Sequence, residues 1–166
     1  MTFTIKTDTI IVDDEDADFV LSRKWHLRID ANGTHYVQTG FRYRGEKQSV
    51  MLHHCIIGMI KGMLTDHKNG NTLDNRRENL RFATYSQNGC NRKKQNRETS
   101  SHFKGVSWCS TKRRWKSCIH VNGKKYWVGS FHNELDAAKA WNIKARELHG
   151  EFARLNPIEN AVAKDG

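Results

Sequence analysis

Apolar and polar positions along the chain divide it into short strands and a few helices. Thr9-Ile10-Ile11-Val12 is a β-branched apolar run and predicts a strand. Asp13-Asp14-Glu15-Asp16 follows as an acidic helix start, where carboxylates offset the positive end of the helix dipole. Phe19, Val20 and Trp25 then fall on one apolar stripe. Asp30-Ala31-Asn32-Gly33-Thr34 is turn chemistry, and His35–Phe41 and Gln48–Leu52 read as strands joined through Arg44-Gly45-Glu46-Lys47. Leu52, Cys55, Ile56, Met59 and Met63 recur at helical spacing, predicting a helix that packs one face on the core. Leu80-Arg81-Phe82-Ala83 alternates like a strand returning from Asp66-His67, with Thr84 offering a cap for a short helix that holds Asn88.

From Asn88 to His102 apolar residues almost vanish, which marks 93–101 as a basic linker. Beyond it, Phe103–Trp108, Trp115–Val121 and Lys124–Gly129 predict three strands, the last two joined by the hairpin signal Asn122-Gly123. Asn133 caps a helix with Asp136 three residues on, Ala138, Trp141, Ala145 and Leu148 form its inner stripe, and Gly150 closes it. Strand alternation puts Trp115, Ser117, Ile119 and Val121 on the helix side with Tyr126 and Val128. Lys116, Cys118, His120, Lys125 and Trp127 fall on an open, basic face. The expected class is α+β: an N-terminal α+β region over 1–92, the linker 93–101, a three-stranded antiparallel sheet packed on one helix over 102–157, and a tail at 158–166.

Charge changes this picture most. The 166 residues carry 28 Lys+Arg and 18 Asp+Glu, a formal +10. Residues 1–50 are at −1, 51–97 at +6 and 98–166 at +5, so the basic excess lies in the last two thirds. A polyanion is the natural partner, and double-stranded DNA binding would be strengthened by counterion release. No stretch approaches the roughly 20 apolar residues of a membrane span, and Met1–Lys6 shows no signal-peptide pattern, so the expected location is the cytoplasm with no membrane partner. Cys55, Cys90, Cys109 and Cys118 make no Cys-x-x-Cys pair, so no thiolate zinc site is expected.

The chemistry concentrates in Leu64-Thr65-Asp66-His67-Lys68-Asn69-Gly70-Asn71 and the Asn79 and Asn88 that follow. A hairpin followed by a helix brings these residues within reach of one another. The Asp66 carboxylate and Asn88 amide oxygen are hard ligands suited to a divalent metal, Mg²⁺ first and Mn²⁺ second. His67, with an ordinary pKa of about 6.5, can take a proton from an attacking water. Asn79 can hold the imidazole by hydrogen bonding and fix its tautomer. Asn69, Asn71 and Asn75 read as turn residues, and His53 as a packed or capping histidine.

Residues 50–92 resemble the HNH (ββα-metal) endonucleases, and particularly phage-like homing members. The Asp66-His67 pair, Asn79 before Leu80 twelve residues on, and Asn88 nine later stand at the spacing of that motif, and Met51-Leu52-His53-His54 resembles its lead-in. The resemblance implies His67 as general base, Asp66 and Asn88 as metal ligands, and Asn79 positioning His67.

Residues 102–157 resemble the Apetala-two (ethylene-response-factor) DNA-binding domain. The resemblance rests on Lys104-Gly105-Val106, Trp115-Lys116-Ser117-Cys118-Ile119, Trp127-Val128-Gly129-Ser130-Phe131, Asp136-Ala137-Ala138-Lys139-Ala140-Trp141 and the run from Leu148 to Asn156. It places DNA contacts at Lys104, Ser107, Cys118, His120, Lys125 and Trp127. Arg113, Arg114 and Lys116 join them as basic residues of the same face and its leading turn.

The expected function is site-specific, metal-dependent hydrolysis of DNA, with nicking and double-strand cleavage, and monomer and homodimer, all left open. The alternatives are a DNA-binding regulator with an inert nuclease remnant, or an RNA-binding protein.

Overall fold

The computed structural model describes residues 1–94 and 99–158. Positions 95–98 of the expected linker, and 159–166 of the expected tail, lie outside them. The chain divides into two compact units, Met1–Tyr85 and Ser86–Gly166. The division falls ahead of the basic segment at 93–101 and places Asn88 in the second unit. The overall class is the expected mixture of small antiparallel sheets and short helices. Among the described residues no helix is long and apolar enough to cross a membrane.

In the first unit, β1 (Thr2–Ile5) pairs antiparallel with β2 (Asp8–Ile11). A 3₁₀ turn at Asp14–Asp16 leads into α1 (Ala17–Leu21). Three strands, β3 (His26–Ile29), β4 (His35–Tyr43) and β5 (Glu46–Met51), form an antiparallel meander. Then come α2 (Leu52–Ile57), β6 (Leu64–His67) and β7 (Leu80–Ala83), with α3 (Tyr85–Cys90) crossing the division. The core is one cluster of Ile10, Val12, Val20, Trp25, Val37, Leu52, Ile56 and Leu80. Its members come from α1, α2 and four strands or their flanks, so the apolar positions at period two and period 3.6 converge on the same interior. Trp25 satisfies its indole N–H on Val20 O at 2.8 Å, as a buried tryptophan requires.

Helix α2 is shorter than its apolar spacing predicts. Gly58 adopts φ 79° at its C-cap, and Gly62 is also left-handed at φ 82°, conformations that glycine takes without steric cost. The expected helix to Met63 is therefore replaced by a loop, and Met59 and Met63 are exposed rather than packed.

In the second unit, β8 (Val106–Cys109), β9 (Arg114–Val121) and β10 (Lys124–Phe131) form an antiparallel sheet in the order β10-β9-β8. Helix α4 (Glu134–His149) covers one face, and its Asn133 cap accepts from the Asp136 N–H at 2.7 Å. Ser117 and Ile119 are buried beneath it with Trp141 and Ala145. A bulge between Trp127 and Gly129 shifts the β10 register, so Trp127 opposes Cys118 while Gly129 opposes Ser117. Tyr126, expected on the helix side, is 40% exposed. Gly105 is the point of closest approach. A Cβ there would lie 2.0 Å from Trp141 Nε1 and 2.5 Å from Cys118 O, and its φ is +73°.

Candidate nuclease site

The β6–β7 hairpin brings Asp66 and His67 to the inner end of a two-stranded ladder, where Asp66 opposes Arg81 and His67 opposes Leu80. Directly opposed residues share one side of an antiparallel pair. Arg81 uses this, placing Nε 2.9 Å and Nη2 2.8 Å from the same oxygen, Asp66 Oδ2. Asp66 and His67 are only 5% and 4% exposed. Arg81 is the partner that motif reading passed over, although counting the register back from His67 and Leu80 finds it.

Burial pulls the His67 pKa below the ordinary histidine value, which keeps the imidazole neutral at neutral pH. Contact with the Asn75 side-chain amide oxygen as an acceptor, and the charges of Asp66 and Asp74, act the other way. Asn75, read from sequence as a turn residue, is thus a neighbour of the imidazole. It is 1% exposed, and its N–H donates to Ile11 O at 2.8 Å. The ring of His53 stands 5.2 Å from His67 and 4.4 Å from His54, edge-on to both. Burial, with the neighbouring imidazoles, drives the His53 pKa down to about 3. It is a packing histidine that stays neutral.

Asn79 does a different job from the one its spacing suggests. Its Oδ1 accepts from Asn69 N–H at 2.9 Å and its Nδ2 donates to Asp74 O at 2.7 Å, so the amide is committed to the loop rather than to the imidazole. The Lys68 N–H adds a bond to the Asn79 carbonyl at 2.8 Å. Asn79 fixes the backbone that leaves His67. Asn69 and Asn71 close the turn through bonds to the N–H groups two residues ahead, as turn asparagines do.

The same loop is fastened from outside. Ile11 N–H donates to Leu73 O and Thr72 Oγ1 donates to His35 O, while within the loop Asp74 takes the Arg76 guanidinium on both oxygens at 2.8 Å. Arg77 reaches the acidic cluster, bonding Asp13 through its N–H, and Glu15 and Asp16 through its guanidinium. Asp13, Glu15 and Asp16 are the group of three carboxylates whose oxygens lie within 4.8 Å of one another among the described residues. Read from sequence as a helix start, they serve chiefly as the socket for Arg77.

Asn88, on α3, is half-buried and belongs to the second unit, whereas Asp66, His67 and Asn79 belong to the first.

Of the expected DNA-contacting residues, Lys116, Cys118, His120, Lys125 and Trp127 do gather on β9 and β10, with Ser107 opposite Lys116 on β8. Trp127 is 58% exposed. Arg113 occupies the turn before β9 at φ 46°, and Arg114 begins the strand. Lys104 is directed elsewhere. Its ammonium donates to Cys90 O at 2.6 Å and Arg92 O at 3.0 Å, capping the carbonyl end of α3, and burial lowers its pKa. A cation used this way inside its own unit is not presented to a phosphate, which corrects the expectation for that position.

The family described as HNH endonuclease matches residues 58–90. Protein 3.8 of Escherichia phage T7 is 33% identical over 115 residues, covering 68% of this chain and 93% of that protein. An uncharacterized HNH endonuclease of Acanthamoeba polyphaga mimivirus is 31% identical over 147 residues, covering 85% of this chain and 75% of its own. A solved structure of DNA binding and cleavage by the HNH homing endonuclease I-HmuI aligns at 28% identity and a TM-score of 0.30, over 36% of each chain. Since the family match falls on the hairpin that carries Asp66 and His67, and the viral relative is shared over most of its length, this chain belongs to the HNH endonuclease family.

Proposed function

We propose that the chain is a site-selecting, homing-type DNA endonuclease that hydrolyses one phosphodiester per active site. The observation that carries this reading is His67: a buried, neutral imidazole beside a carboxylate, on a strand end whose following loop is pinned by Asn79. In this reading His67 takes the proton of the water that attacks in line with the leaving 3′ oxygen. Asn79 acts as a positioning residue by holding the Asp74 and Asn69 backbone, and Arg81 orients the Asp66 carboxylate. Asp66 is proposed as a ligand for a hard divalent cation, since a carboxylate oxygen is what such an ion prefers, and Asn88 as a second by the chemistry of its amide oxygen alone. When bound, such an ion, Mg²⁺ by preference, supplies charge stabilisation at the phosphate.

The second unit supports an Apetala-two-like role in target selection. A three-stranded sheet backed by one helix leaves the face with Lys116, His120, Lys125 and Trp127 open, and such a ribbon can enter a DNA groove. Residues 86–166 carry 16 basic and 7 acidic side chains, so +9 of the formal +10 belongs to this unit.

Plasmid nicking with Mg²⁺, with and without EDTA, tests the nuclease. His67→Ala should lower cleavage by at least about 100-fold, the lower range for a lost general base, while the gel shift with DNA persists. Equal cleavage by the variant removes His67 from the chemistry. DNA binding with no metal-dependent nicking by the wild type leaves the regulator with an inert remnant.

A further inference from the structure

We propose that the loop between α2 and β6 is an apolar wedge that inserts between base pairs of duplex DNA beside the bond to be cut. The inference rests on the DNA-endonuclease reading and adds to it how the substrate is deformed. Met59 is 72% exposed, Ile60 48% and Met63 37%, three large apolar side chains within five positions. Exposure of single apolar residues is ordinary, but a cluster on one short loop marks a contact surface.

The loop is ordered rather than slack. Gly58 N–H closes α2 on His54 O at 3.0 Å, and Met63 N–H returns to Ile60 O at 3.1 Å across Lys61 and Gly62. Gly58 and Gly62 supply the left-handed corners, and a Cβ at either would meet nothing, so conformation and not crowding requires glycine there. Both ends are anchored in the core, by Leu52 and Ile56 in α2 and by the ladder of β6 with β7.

Duplex DNA is the occupant that fits. Met63 lies three positions before Asp66, a backbone span of at most about 11 Å, and Met59 and Ile60 lie six or seven positions before it, at most about 25 Å, so the loop stays within about seven base-pair steps of Asp66 at 3.4 Å per step. Lys61 sits between Ile60 and Gly62, and residues 51–97 hold 9 basic against 3 acidic side chains. Met and Ile are side chains that proteins push between base steps, with partial unstacking compensated by the contacts a kink permits. A second copy of the chain is disfavoured by size, because three side chains of one turn fall far short of the roughly 800 Å² per partner of a standard interface.

The test is topological and needs no knowledge of the target sequence. Closed-circular plasmid is relaxed by a metal-independent type I topoisomerase in EDTA, with the full chain bound, and its linking number is read after protein removal. Insertion unwinds the duplex, so the wild type should leave the plasmid more negatively supercoiled. Met59→Ala with Ile60→Ala should cut that shift about fivefold per bound protein while thermal unfolding stays unchanged, as expected for exposed wedge residues. No shift with wild type, an equal shift with the double variant, or a self-association that the double variant abolishes would each overturn the wedge. Nicking with Mg²⁺ is scored separately. A wild type that nicks without unwinding sinks the wedge alone, and one that unwinds without nicking sinks the nuclease reading alone.

Discussion

At His53 a single side chain sets a property of the whole fold. Its pKa near 3, against the ordinary 6.5, means that the unfolded chain binds a proton between those values that the folded chain refuses. Stability therefore rises with pH across that window and is lost as pH falls below about 6.5. His54 and His67 are depressed by burial in the same direction, so they add to the slope. Denaturation between pH 4 and 7 should show an unfolding free energy that declines toward acid, approaching about 1.4 kcal/mol per pH unit from His53 alone. His53→Gln should flatten it, and an unchanged slope in that variant would mean that the imidazole is solvated. Asp66 and Arg81 make the opposite kind of residue-scale argument. Asp66 is buried and Arg81 half-buried, and the two are paired, so Arg81→Met takes the guanidinium from a buried carboxylate and should cost about 3 kcal/mol, measured by the same denaturation.

At the scale of elements, the β6–β7 connection shows how a long loop becomes rigid. Twelve residues between two four-residue strands hold their shape through Asn79, Asp74 and three asparagine or aspartate turns, fastened to Ile11, His35 and the Asp13–Glu15–Asp16 socket. The spacing of Asp66, His67, Asn79 and Asn88 was readable because a hairpin and helix need fixed lengths between their functional ends. What each amide bonds to was not, since Asn75 and Asn79 are chemically identical and only the fold tells them apart. The helix to Met63 failed for a local reason: apolar spacing continued past Gly58, but the backbone there turned left-handed. Gly105 offers the clearest test at this scale. Gly105→Ala must displace the Trp141 indole that donates to Cys118 O at 3.0 Å, and strains the backbone as well, so it should cost more than about 3 kcal/mol. Trp fluorescence and a thermal melt would register it, and a native-like melt would contradict the close packing.

For the whole molecule, the asymmetry of charge matters most. The first unit is nearly balanced at 12 basic and 11 acidic residues, and the second holds the surplus. DNA affinity should fall steeply with salt, and Lys125→Ala should reduce the slope of log affinity against log salt by about one while leaving nicking chemistry intact. Fluorescence anisotropy on a labelled duplex at several salt concentrations reads this directly, and an unaltered slope would take Lys125 off the interface.

Composition, periodicity and spacing by themselves determined the α+β class, the hairpin-and-helix frame of the nuclease motif, the three-stranded sheet with its covering helix, and the basic character of the second half. These follow from near-neighbour rules: strand alternation, capping, turn chemistry and charge counting all act over a few residues. Tertiary structure alone decided that Lys104 caps α3 instead of facing DNA, that Arg77 fills the acidic cluster, and that His53 is sealed against His67. Each of those outcomes depends on groups 14 to 64 positions apart being brought together as their own unit buries its core, a cooperative event to which no local stretch of sequence holds the key.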